Sequence, residues 1–253
     1  MRKYYFMLAL WTGLSMGTFT ACNDDENPAT SKGAVALHIH TYAGGNEIEQ
    51  YGDTVLLANN RKIAVSTAQL YLTNFRFIKL DNSEVQGPPT VLFMKQGIEE
   101  YELGDVEAGN YKGLRFDVGL SDATNASNPN PNDPALFQST MWFGSTAQPD
   151  GFVFLNFQGA IDTALNADGA TLIPFAYKIG TNANRVTITM PEENHAVVPD
   201  QLDIYHMKVD YAGLLNGIVL GNPNNLQMTT PAQNNSLLAE KLVANIQDIF
   251  SYE

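Results

Sequence analysis

From about Gly33 the chain alternates apolar and polar residues with a period of two, the mark of strands that bury one face. In "VALHIHTY" this puts Val35, Leu37 and Ile39 on one face and His38 and His40 on the other. "YKGLRFDVGL" sets Leu114, Phe116 and Val118 against Arg115 and Asp117. "AQLYLTNFRFIKL" is a long β-rich run, "RVTITM" and "LDIYHMKVDY" are further strands, and "GFVFLNFQG", apolar on both faces, predicts a central strand. Turn formers separate these runs at 81–82, 107–110, 166–169 and 181–184. Strands at this spacing, without helical repeats between them, predict an all-β fold, a β-sandwich of mostly antiparallel strands. The period changes once. "SLLAEKLVANIQDIF", 236–250, places Leu238, Leu242, Ile246 and Ile249 at helical spacing behind a capping Ser236, which predicts a C-terminal amphipathic helix packed on the sandwich. A helical turn is expected near "YAGLLNG", 211–217. Two segments lack apolar runs. The one at 221–235 reads as a connector from the last strand to the helix, and the one at 121–137 leads straight into "MWF" at 141–143.

The length of 253 residues, 44% of them hydrophobic, suits one large β unit. The first residues stand apart from it. Arg2 and Lys3 precede the apolar "YYFMLALWTGLSMGTFTA", too short for a confident membrane span, and "FTAC" ends on Cys22. That arrangement resembles a bacterial lipobox, in which the cysteine thiol is acylated. Cys22 is the only cysteine, so disulfide pairing does not account for it. The expected organisation is a lipoprotein signal peptide at 1–21, an acidic flexible tether at 22–32 carried by lipidated Cys22, and one domain at 33–253. The expected location is the outer membrane of a Gram-negative cell, facing the periplasm or the cell surface. The acidic residues after Cys22 favour the surface.

Only 16% of residues are charged, yet the formal net charge is −13, and loss of Arg2 and Lys3 with the leader takes it to −15. Such a surface repels nucleic acid, and no basic cluster offsets it. Nucleophile elbow, phosphate loop, dinucleotide fingerprint and zinc-protease motif are all missing from the sequence, which argues for a non-enzyme. The pair His38 and His40 carries the most specific chemistry. Two imidazoles at i and i+2 lie on one side of a strand, about 7 Å apart at their Cα atoms, and can converge on one metal ion. His206, on the face of Leu202 and Ile204, reads as a core histidine, and His195, in "PEENHAVVP", as a solvated one.

Taken in order, several segments resemble the MbnP-like domain family, named after a periplasmic copper-binding protein associated with methanobactin. They are "ALHIHTYAGGNEI", "YGDTVLLANNRKIAVSTAQLYLTNFRF", "VEAGNYKGLRFDVGLSDATN", "MWFGSTAQPDGFVFLNFQG", "PFAYKIG" and "LVANIQDIFSY". The resemblance spans nearly all of the domain. It implies a β-sandwich and mononuclear copper held by imidazoles, with a tryptophan oxidised to kynurenine in some relatives by a di-haem peroxidase-type partner. Carried over residue by residue, it makes His38 and His40 candidate copper ligands and Trp142 and Met141 their neighbours. This chain departs from the family pattern at Lys178, where the family often has histidine, and around Ser145, where a polar insertion replaces a second tryptophan. An ammonium cannot ligate while protonated, and beside His38 and His40 it would oppose a cation. The role so implied is capture, storage or delivery of copper. The rival is a surface binding or adhesion module in which the 121–143 segment and its aromatics meet a glycan or protein partner.

Overall fold

The computed structural model describes residues 31–144 and 151–253. The leader, Cys22, nearly all of the tether and the insertion at Ser145 lie outside the described residues. Along the chain run β1 (Lys32–Ala43), β2 (Asn46–Glu47), β3 (Thr54–Leu56), β4 (Lys62–Lys79), β5 (Glu84–Gln86), β6 (Leu92–Met94), β7 (Glu100–Glu107) and β8 (Gly109–Val118). After the short helix α1 (Asp122–Asn125) come β9 (Val153–Ile161), β10 (Ile173–Gly180), β11 (Val186–Thr189), β12 (His195–Val197) and β13 (Leu202–Asp210). The chain closes with β14 (Gln227–Met228), helix α2 (Leu237–Asn245) and β15 (Phe250–Tyr252).

These strands form two sheets. The smaller has the order β15-β13-β1-β2, with β7 also paired to β1. The larger has the order β11-β8-β4-β9-β10-β14, with β12 on β8 and β3, β5 and β6 along the 18-residue β4. Pairing is mostly antiparallel, but β1 and β13 run parallel. The alternation read from the sequence decides the faces. Leu37 and Ile39 of β1, with Tyr205, Met207 and Val209 of β13, pack against Leu70 and Leu72 of β4 and Phe157, Phe175 and Tyr177 of β9 and β10. Most of these side chains are fully buried. Each contributes up to about 1.5–3 kcal/mol of transfer free energy, which is what holds the sheets face to face. As expected, the strand through "FVFLNFQ" is central, flanked by β4 and β10.

A second apolar cluster lies on the outer side of the large sheet. Tyr71 points away from Leu70 and Leu72 and meets Phe152, Phe154, Leu120 and Met141, with Trp142 and Phe143 against them. The segment after β8 folds over this face. Tyr71 Oη donates to Ala135 O at 3.0 Å, and the buried Asn156 donates to Thr140 O at 3.2 Å.

Two expectations need correction at the C-terminal end. The helix covers nine residues, capped by Ser236 Oγ accepting from Ala239 N at 3.2 Å. From Ile246 the backbone tightens into a 3₁₀ turn and then extends as β15, because "FSY" meets the free edge of β13. The 221–235 connector also carries structure: Met228 is fully buried, and β14 adds to the large sheet beside Tyr177.

Candidate metal centre

His38 and His40 sit where the alternation places them, on the outer face of the small sheet, about one-fifth exposed. Pairing on either side of β1 supplies their neighbours. His38 lies opposite His206 on β13 and opposite Glu100 on β7, so three strands form the row Glu100–His38–His206. The His206 ring is 5.2 Å from that of His38. His206 shares the face of Leu202 and Ile204 as expected, but that face is the solvent side, so it is an exposed neighbour of the pair and not a core histidine. His40 lies beside Lys208, whose ammonium is carried over the ring of Tyr42.

Carboxylates complete the ring. Glu100 Oε1 is 2.7 Å from His38 Nδ1, and Glu253 Oε1 is 2.8 Å from His40 Nδ1. Glu47 stands 3.5 Å from His40 Nδ1, and Glu99 Oε2 is 3.7 Å from His40 Nε2. Local structure fixes each one. Glu47 follows a turn in which Gly44 and Gly45 take positive φ and donate their N–H groups to Asp210. Glu99 sits on a turn held by Tyr101 Oη, which accepts from Lys95 N at 3.1 Å and donates to Ile98 O at 2.8 Å. Burial pushes the Tyr101 phenol up to about 12, so it keeps the proton it donates. Glu253 follows β15 and is anchored through its N–H to His206 O.

Each Nδ1 thus has a carboxylate beside it, at 2.7 Å for His38 and 2.8 Å for His40. The two Nε2 atoms lie 2.8 Å apart, a hydrogen bond whose donor depends on the tautomer. Imidazoles whose far nitrogens are held by carboxylates are the usual support for metal ligands. His38, His40 and Glu99 offer donor atoms that all lie within 4.8 Å of one another. The donor set therefore fits a metal ion.

Trp142 and Met141 are not neighbours of this pair. Trp142 bridges to Phe152, its ring 4.8 Å away, and Met141 is fully buried in the same outer cluster of the large sheet. Both sheets and the core between them separate these residues from the histidines. Lys178 also lies on the large sheet, opposite Asn156 and pointing away from the core, so its ammonium does not oppose a cation at His38 and His40. His195 is not solvated. It begins β12, is about nine-tenths buried and stacks on Tyr205 at 3.6 Å between Asp203 and Glu193.

The sequence showed His38 and His40 but not their carboxylates. "EE" at 99–100 and Glu253 were visible, yet only long-range pairing brings them to β1.

The architecture is thus a two-sheet β-sandwich that carries a histidine and carboxylate cluster on the outside of its smaller sheet. The MbnP family model matches residues 32–235, and the chain belongs to that family. Among solved structures it is similar to MbnP from Methylosinus trichosporium, with a TM-score of 0.50 and 18% identity, covering 73% of this chain and 78% of that one. At that identity the likeness speaks for the fold. No curated protein matches.

Proposed function

We propose that the chain is a non-catalytic, lipid-anchored protein of the cell envelope that captures copper at His38 and His40 for storage or delivery. One observation carries this reading: His38, His40 and Glu99 offer donor atoms that all lie within 4.8 Å of one another, with a carboxylate beside each Nδ1. Glu100 and Glu253 orient the rings, while Glu99 and His206 stand close enough to add a further ligand. The copper would draw both imidazoles onto one centre, and the surrounding acidic side chains would raise its local concentration. Membership of the MbnP family supports the choice of copper. Anchorage rests on Cys22 in its lipobox-like setting. Among the described residues no helix is long and apolar enough to cross a membrane. A di-haem peroxidase-type partner, the remaining element of the family resemblance, would meet Trp142 on the opposite side of the sandwich from the ligands.

The test is calorimetric titration with Cu(I) and Cu(II). One ion should bind per chain, and His38→Ala/His40→Ala should weaken binding at least roughly 100-fold. Absence of heat above buffer in the parent protein would end the copper reading. A second reading has its own observation. Phe137 is 54% exposed and joins Pro129, Gln138 and Trp142 in lining a pocket of about 370 Å³, mostly apolar. Among the described residues, the buried Trp142 Nε1 finds no acceptor. If copper does not bind, a glycan or protein partner seated on this pocket becomes the leading function.

A further inference from the structure

Three loops meet at the end of the sandwich where the parallel strands β1 and β13 finish. They are the turn from β3 to β4, the segment after β9 and the segment after β13. Between them lies a cavity of about 500 Å³, larger than the one beside Trp142 and within the range that small-molecule sites occupy. Hydrogen bonds hold each loop in shape. Asn60 takes a positive φ and donates its N–H to Leu57 O at 2.8 Å. Asp162, fully buried, accepts from Ala164 N at 2.8 Å and from Gly169 N at 3.0 Å. Asn245 of α2 donates to Leu214 O at 2.8 Å and to Asn216 O at 2.9 Å.

The wall is mostly apolar and carries Leu57, Leu215, Ile218 and Leu220. At its rim Leu165 is 95% exposed and Val219 67% exposed. An apolar ligand lying along them would remove that surface from water. The charge of the wall is of the opposite sign to that of the chain, whose formal net charge is −13. Arg76, Arg115 and Arg185 each pair with a carboxylate. Arg61, in the wall, has only carbonyls: its Nη1 donates to Asp162 O and Ala164 O, and among the described residues no carboxylate pairs with it. Its Nη2 and Nε are left for a second partner, and a guanidinium receives a carboxylate through two parallel hydrogen bonds. Lys241 also lacks a carboxylate among the described residues. Its ammonium lies against Gly217 of the wall, where an added Cβ would stand 3.1 Å from Nζ.

We propose that this cavity binds an amphiphilic carboxylate, an unbranched fatty acid of medium length. The headgroup sits on Arg61 within the field of Lys241, and the tail lies along Leu215, Ile218 and Val219. The site is separate from the histidine cluster and from the pocket beside Trp142, and it requires no metal.

Calorimetric titration of the protein with decanoate, below its micellar concentration, is the test. Decanoate should bind with a Kd of roughly 10–100 μM. Hexanoate, shorter by four methylenes, should bind at least roughly 30-fold more weakly. Decanol keeps the tail without the charge and should bind at least roughly tenfold more weakly. Arg61→Gln should weaken decanoate about tenfold and leave decanol within about twofold. Lys241→Gln, at an exposed position, should weaken decanoate about threefold, and it keeps the headgroup open to test if the Arg61 variant misfolds. Val219→Asp, at the exposed rim, should weaken decanoate and decanol alike. The proposal falls if decanoate gives no heat above buffer or binds no better than hexanoate. It falls equally if decanol matches decanoate and the folded charge variants bind decanoate as the parent does. A capped apolar peptide that displaces decanoate at a lower concentration would assign the cavity to a protein segment and overturn it as well.

Discussion

The two outer faces of the sandwich begin from the same rule and end differently. On both, alternate residues of a strand point away from the shared core. On the large sheet those residues are Tyr71 and its neighbours, and the segment after β8 folds over them, burying Met141, Phe152 and Phe154 completely. On the small sheet they are His38, His40 and His206, and no chain crosses them within the described residues. Instead, acidic side chains converge from β7, from the turn before it, from β2 and from the end of β15. An apolar outer face can be stabilised by covering it. A polar one left open holds its imidazoles with polar partners, here a carboxylate beside each Nδ1 and a hydrogen bond between the two Nε2 atoms. The difference teaches that the tryptophan-bearing region and the metal-competent region are separate parts of this molecule.

The largest effect expected from perturbing either face is on the covered one. Phe152 is fully buried, with its ring 4.8 Å from Trp142 and 6.3 Å from Tyr71. Phe152→Ala should cost about 3–5 kcal/mol by transfer and cavity terms together. Thermal unfolding followed by circular dichroism should show a Tm lower by roughly 10 °C. Copper affinity of the folded protein should hold within about twofold. A large loss of affinity would mean that the two faces are coupled through the core, and the comparison would fail.

A middle-sized effect belongs to the open face. Glu253→Ala and Glu100→Ala each remove the acceptor that fixes a ring, and losses of about tenfold in copper affinity are expected, close to 1.4 kcal/mol. Glu253 should matter more, because its side chain is 31% exposed against 67% for Glu100. Neither change should move the unfolding midpoint appreciably, since exposed ion pairs add little stability. Competition titration beside a melting curve decides the matter. Unchanged affinity in both variants would remove the carboxylates from the site.

How much of this was legible beforehand follows from the range of the forces involved. The period-two runs are local, so β1, β8, β9 and β13 could be read directly, and with them the outward direction of His38 and His40. Ser236 was legible as a cap because capping acts over three residues. The short β15 was hidden because "FSY" has no strand signal of its own and is extended only by the edge of β13. His206 lies in a different environment from the one its sequence suggests because Leu202 and Ile204, its apolar face-mates, share the solvent side; Tyr205, Met207 and Val209 are the residues that face the core. The environment of His195 is hidden in the sequence because its polar neighbours there are not its neighbours in space, where Tyr205 stacks on it. The separation of Trp142 from the histidines is set by the sheet order, and nothing local in the sequence says which sheet a strand joins.

The smallest effect is the most discriminating for the comparison. Trp142→Phe keeps an aromatic ring against Phe152 and removes the indole N–H, which among the described residues has no acceptor. Loss of a buried donor without a partner offsets part of the lost packing, so stability should change by no more than about 1 kcal/mol. The metal affinity should not change at all, because two sheets and their shared core stand between this ring and His38. Were Trp142 a ligand, or the source of one by oxidation, the same substitution would abolish tight copper binding and any mass change on residue 142. Titrating copper into Trp142→Phe and measuring the intact mass of the parent protein reads both. Binding within about twofold of the parent, with an unmodified tryptophan, leaves the metal to the small sheet alone. Loss of binding would place the indole at the site and require a rearranged sandwich in solution.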